Sequence, residues 1–275
     1  MVLCPLPREN EASAEPTGRK VLSAWEAVQG KQKQPAESWW LISQPDHAAL
    51  AGDLARHIEA PGLPTLSPEI LEAITLHDAG WVRFDGGARG TANDLEISLP
   101  DPMLDARGRP LSFLDMAPVE FLSAWHGSIE NASDTGPTGG LIVSEHFCRI
   151  ARTRLDSRID SVDDINRLEE FLRGESARHA NLVRNTRYMA AEIFSFVEVL
   201  QFCDLLSLYL CCGATEPVEF PQRFGGKVVQ ARVKDHAFLT EPRLFTSGLS
   251  LGVTARSYSM HDCVALEILS FQGDK

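Results

Sequence analysis

His77 and Asp78 stand side by side in a helical pattern whose inner face is otherwise apolar, and no other feature constrains the fold of this chain as much. An imidazole and a carboxylate on the buried side of a helix are costly to desolvate unless something holds them. The usual holder is a metal ion. Residues three, four and seven apart share one side of a helix, so the company each polar group keeps can be read from spacing. His77 lies with Ile70, Ile74 and Trp81, and Asp78 is flanked by Leu71 and Ile74. His47 shares a stripe with Leu50, Ala51, Leu54 and Ile58, His126 with Val119, Leu122 and Ile129, and His146 with Val143 and Ile150. Asp204 lies with Val197, Leu200, Gln201, Leu208 and Cys211.

A single histidine on a core face is more often a hydrogen-bonded structural residue than a ligand. Asp204 is harder to dismiss, because a buried carboxylate among apolar side chains must find a cation or neutralise. Arg184 or Arg187 is the bland candidate for that cation. Four inward histidines together with two inward aspartates favour a metal.

Helix starts are clear in places. Pro45 opens a helix continuing to about Glu59, and Ser67 as N-cap, Pro68 in the first position and Glu69 in the first turn open another that runs to about Gly80. Helical patterns return at Pro118–Asn131, Gly139–Leu155, Ser161–Asn185 and Arg187–Cys212, with Ser38–Ser43 as a short extended run. Residues 83–118 form a long loop rich in Pro and Gly, of the kind that serves as a lid or binding loop. Residues 1–19, rich in Pro, Glu and Ser, predict a flexible arm. Beyond Gly213, turn-dense apolar runs predict strands. The expected architecture is mainly α: a helical bundle over 20–212, with a small β-rich element over 213–275 packed on it.

With 275 residues and 44% hydrophobic content, one substantial core is affordable. A net charge of -12 argues against nucleic-acid or anionic-membrane surfaces and leaves a small-molecule substrate as the expected partner. Six scattered cysteines without a CxxC pair fit a reducing compartment. The first residues lack the apolar stretch of a signal peptide, and no apolar run approaches the ~20 residues of a membrane span. The expectation is a cytoplasmic protein; its oligomeric state stays open.

The order His47, then His77-Asp78, then Asp204, each on its own helix, resembles the HD-domain superfamily. The wording Trp40-Leu-Ile-Ser-Gln-Pro-Asp-His47-Ala, His77-Asp-Ala-Gly-Trp81 and Val143-Ser-Glu-His146 is similar to one uncharacterised bacterial family of HD-like proteins, over roughly residues 38–212. That resemblance implies an HD-like bundle in which His47, His77, Asp78 and Asp204 bind a first metal. His126 and His146 match the middle histidines of dinuclear members, with Asp78 bridging and acting in catalysis.

Imidazoles and carboxylates without thiolates suit Fe or Mn first, then Zn or Co, one or two ions per chain. A water on such a metal deprotonates near neutral pH, so hydrolysis, of a phosphoester among other bonds, is the leading expectation. Two alternatives stand beside it: a non-haem di-iron oxygenase, and a binding or regulatory protein that turns nothing over. Many superfamily enzymes carry a lysine shortly after the His-Asp pair, where this chain has Trp81, expected as a pocket wall. Arg83 and Arg109 are the candidates for contacting substrate. Asp85, Asp101, Asp105 and Asp115 are turn formers or a proton acceptor; His57 and His179 are expected at the surface, and His236 and His261 have no assigned role. Ser144 lacks the G-x-S-x-G context of a nucleophile.

Overall fold

A computed structural model describes residues 1–6, 21–60, 62–85, 101–234, 237–246, 248–260 and 266–273. His236 and His261 lie outside them. The strands are β1 (Val2–Pro5), β2 (Leu22–Ser23), β3 (Ser38–Ile42), β4 (Val218–Phe224), β5 (Lys227–Lys234), β6 (Ala237–Glu241), β7 (Ser250–Ser259) and β8 (Leu266–Gly273). The helices are α1 (Ala24–Gln32), α2 (Gln44–Arg56), α3 (Pro68–Thr75), α4 (Val82–Asp85), α5 (Pro118–Ser133), α6 (Pro137–Ser157), α7 (Val162–Leu182) and α8 (Ala190–Cys211).

Local chemistry accounts for the helix starts. Ser43 Oγ accepts from the Asp46 amide at the head of α2, and Ser161 Oγ accepts from the Asp164 amide at the head of α7. Prolines occupy the first turns of α2, α3, α5 and α6, where a missing N–H costs nothing. Gly52 lets α2 and α3 cross closely: a Cβ there would lie 2.9 Å from the Thr75 Cα.

The expected α-bundle with a small C-terminal β-element does not form. Among the described residues helix makes up 52% and strand 22%, and the eight strands join one curled mixed sheet in the order β1-β3-β7-β8-β6-β5-β4-β2. The chain's first strand thus shares a sheet with its last. Val2–Pro5 pairs antiparallel with β3, which pairs antiparallel with β7, while β2 runs parallel to β4. The expected flexible arm is a buried strand at its start, and residues 7–20 lie outside the described residues. Pairing across more than 200 residues leaves no mark in local periodicity, which is why short runs such as Ser38–Ile42 could be seen as extended but not placed.

The sheet packs on α1, α2 and α8. Helix α8 is mostly apolar because most of it is enclosed: Phe202 meets Phe220 at 4.9 Å and Phe224 at 5.3 Å, while its other faces meet α2 and α6. It is long and apolar enough to cross a membrane, yet 61% of its apolar window is buried within the protein. Cys203, Cys211 and Cys212 fill this core as unpaired thiols.

The described part of the 83–118 loop is ordered structure. Its start is α4, and residues 86–100 lie outside the described residues. From Met103 it folds into a tight turn in which Asp105 accepts from the amides of Arg107 and Arg109, at 2.8 and 2.9 Å, which holds its carboxyl below the usual range. A 3-10 turn over Phe113–Asp115 follows.

Candidate metal centre

Helix α3 ends at Thr75, so His77 and Asp78 sit in the turn after it rather than on it. On a continuous helix two adjacent side chains diverge by about 100°. Here both face the same centre. The turn is fixed from both sides: His77 Nδ1 lies 2.8 Å from the Ile74 carbonyl, which also accepts from the His77 amide at 3.4 Å, and the Gly80 amide donates to Ser128 Oγ at 3.0 Å. Any larger residue at 80 would collide with α5, since a Cβ would stand 2.0 Å from the Ala124 carbonyl oxygen.

Around this turn, α2 supplies His47, α6 supplies His146 and α8 supplies Asp204. His47, His77 and Asp78 place ligand atoms within 4.8 Å of one another, and so do His77, His146 and Asp204. His47 and His77 are fully buried and their rings meet edge-on at 5.4 Å; His77 and His146 do the same at 5.5 Å. The Asp204 carboxylate keeps 15% exposure, so the centre touches solvent on the side of α8.

Hydrogen bonds behind the imidazoles determine which nitrogen looks inward. Ser207 has one hydroxyl proton and gives it to the Asp204 backbone carbonyl at 2.7 Å, so it accepts from His47 Nδ1 at 2.9 Å. His47 Nε2 is then a bare lone pair 2.9 Å from Asp78 Oδ2. His77 spends its Nδ1 proton on Ile74, which turns Nε2 toward Asp204 Oδ1 at 3.3 Å and Asp78 Oδ2 at 3.8 Å. Lone pairs aimed at carboxylates need a proton or a cation between them.

Protonation follows the same logic. Burial opposes a charge on His77, but Asp78 and Asp204 together overcome it and raise the ring to about 9. Burial also opposes the Asp204 carboxylate, yet the His77 hydrogen bond and the surrounding imidazoles bring it down to about 2. Burial pushes His146 down to about 4, so this ring is neutral at physiological pH. Its Nε2 stands 3.8 Å from Asp204 Oδ2, and its buried Nδ1 has no hydrogen-bond partner among the described residues.

These observations fit a divalent transition metal. The donors are imidazole and carboxylate, two of the rings are oriented by hydrogen bonds behind them, and the centre already favours one positive charge. His47, His77, Asp78 and Asp204 would hold the ion, with His146 beside them.

The other expected site residues fall elsewhere. His126 is nearly half exposed, with Nδ1 3.8 Å from Glu175 Oε1 and its ring on Phe171. Helix α5 meets Gly80 through Ala124 and Ser128, and residue 126 is about half a turn from both, so it faces α7. Trp81 is a core residue against Phe84. Arg83 is exposed and stacks on Phe84, and Arg109 ties the loop to the Gln32 carbonyl. Asp85 is buried between the Met1 ammonium and the Gln44 amide. Asp101 pairs with Arg256, and Asp115 caps the Ser112 amide. His57 is exposed on the Asp53 carbonyl, as expected, whereas His179 is drawn inward onto Ser144.

Sequence reasoning missed Ser207, the Ile74 carbonyl and Gly80, the parts that hold the ligands. Ser207 carried a faint signal, being one turn after Asp204 on the same helix.

Fold and site together define an α/β protein with a buried histidine–aspartate cluster of metal-ligating composition. The chain belongs to the family described as Protein of unknown function (DUF3891), whose model matches residues 32–256. No curated protein and no solved structure matches it.

Proposed function

We propose that this protein is a metal-dependent hydrolase acting on a small molecule, with one divalent ion held by His47, His77, Asp78 and Asp204. The observation that carries this reading is the pair of Nε2 nitrogens, on His47 and His77, directed at the carboxylates of Asp78 and Asp204. Resemblance to HD-domain proteins, drawn from the same residues, supports it. When bound, such an ion supplies Lewis acidity and an activated water.

The chain's own residues do the rest. Ser207 and Ile74 hold two imidazoles in one tautomer, Asp78 and Asp204 supply the negative charge that draws a cation in, and the apolar packing around His47 and His77 keeps bulk water out. His146, neutral and with Nε2 3.8 Å from Asp204, offers one more nitrogen donor at the edge of the centre. The position of His126 favours one ion over the coupled pair that a di-iron oxygenase requires. Arg149, the arginine that acts on His146, is already engaged by Glu145, Glu198 and Gln201, so it is not poised as a phosphate clamp.

Metal analysis of the purified protein, followed by hydrolysis assays on chromogenic carboxylic esters and phosphoesters with Mn or Zn added, tests this reading. One equivalent of metal at this centre and turnover that disappears in Asp204→Asn is expected. Coupled iron in two equivalents at this centre would point to the oxygenase instead, and metal binding without turnover of any ester to a binding protein.

A further inference from the structure

Helix α6 presents a second cluster on a different face from His146. Ser144, Glu145 and Cys148 come from α6, and Glu175 and His179 from α7. Ser144 is fully buried and donates to Glu175 Oε2 at 2.6 Å, so its oxygen accepts from His179 Nε2 at 2.7 Å. His179 Nδ1 is therefore the bare nitrogen. It faces Glu145 Oε2 at 3.9 Å, and the ligand atoms of Glu145, Cys148 and His179 all lie within 4.8 Å of one another. The arginines nearby are turned to other atoms: Arg149 and Arg152 reach Glu145 Oε1, and Arg178 reaches Glu175. Ser144 is not placed as a nucleophile, because it is fully buried between Glu175 and His179.

We propose that Glu145 Oε2, Cys148 Sγ and His179 Nδ1 form a second, separate transition-metal site of the zinc class, which clips α7 to α6. One carboxylate, one thiolate and one imidazole are a zinc donor set, and water completes the shell on the side where His179 and Glu145 keep 21% and 25% exposure. Glu175 and Ser144 are positioning residues: through them the imidazole keeps its proton on Nε2 and its lone pair on Nδ1. On binding, the Cys148 thiol proton leaves to solvent and the sulfur–metal bond forms without any redox change.

A thiolate distinguishes this site from the first, which has none. Full-length protein, stripped with a chelator and titrated with Co²⁺ alone, is expected to develop a near-ultraviolet sulfur-to-cobalt charge-transfer band. The band should persist in Asp204→Asn, vanish in Cys148→Ser, and require about 10–100-fold more cobalt in Ser144→Ala. Its absence from the wild type, or its survival in Cys148→Ser, overturns the proposal. If Cys148→Ser does not fold, His179→Gln decides at a less buried position: an unchanged cobalt affinity of the band overturns the site, and a loss of at least about tenfold supports it.

Discussion

His47 Nε2 lies 2.9 Å from Asp78 Oδ2 while the ring's Nδ1 proton is committed to Ser207. A neutral imidazole in that tautomer offers the carboxylate a lone pair, so the contact is stable only around a shared cation or with an added proton. Removing the serine hydroxyl leaves the ligands in place and releases the tautomer. Ser207→Ala is therefore expected to weaken metal binding about 10–100-fold with little change in fold, measured by competition against a metal chelator.

Asp78→Ala and Asp204→Asn remove charge from the centre itself. Both should abolish the rise in melting temperature that added metal gives the wild type, since only a ligand bound to the native state shifts that equilibrium. A metal-induced rise of unchanged size in either variant would sink the assignment of that residue.

His126→Ala should leave the metal stoichiometry and affinity of this centre unchanged, because its side chain faces Glu175 and Phe171. Loss of an equivalent from the centre, by elemental analysis, would restore the dinuclear arrangement.

The metal-free protein has a pH optimum of stability that follows from two histidines. His77 is raised to about 9 from an ordinary value near 6.5, so its contribution is fully present below pH 6.5 and is lost as pH rises through about 9. His146 is lowered to about 4, so the unfolded chain binds the extra proton and stability falls as pH drops from about 6.5 toward 4. Urea midpoints of chelator-treated protein should therefore peak near pH 6.5. Metal displaces the His77 proton, so apparent affinity should climb about tenfold per pH unit up to about pH 9, provided one proton is released.

Gly80→Ala forces a methyl group into the Ala124 carbonyl and the Ser128 amide. A loss of about 1–3 kcal/mol in denaturant unfolding is expected, with weaker metal binding because His77 and Asp78 move with the turn. Gly174→Ala, in mid-helix with open space around it, is the control and should be neutral or stabilising by up to about 1 kcal/mol.

Much of the helical half was legible in the residues. Pro45, Pro68 and Pro118 mark real helix starts, and the apolar spacing around His47 and His146 turned those side chains inward, while Asp204 meets them with 15% of its side chain still exposed. The same spacing turned His126 inward wrongly, because periodicity gives a face relative to its own helix and not the identity of the helix that covers it. For α5 that cover is decided by Gly80, whose bare Cα lets the backbones meet.

The sequence by itself determined that His47, His77, Asp78 and His146 are buried and share an imidazole–carboxylate chemistry, since their neighbours at helical spacing are apolar. Tertiary structure alone decided the sheet that joins β1 and β3 to β7, the end of α3 that turns His77 and Asp78 to one centre, and the serine that selects a tautomer. These rest on contacts between residues far apart in the chain, whose energies exist only once the elements are packed together.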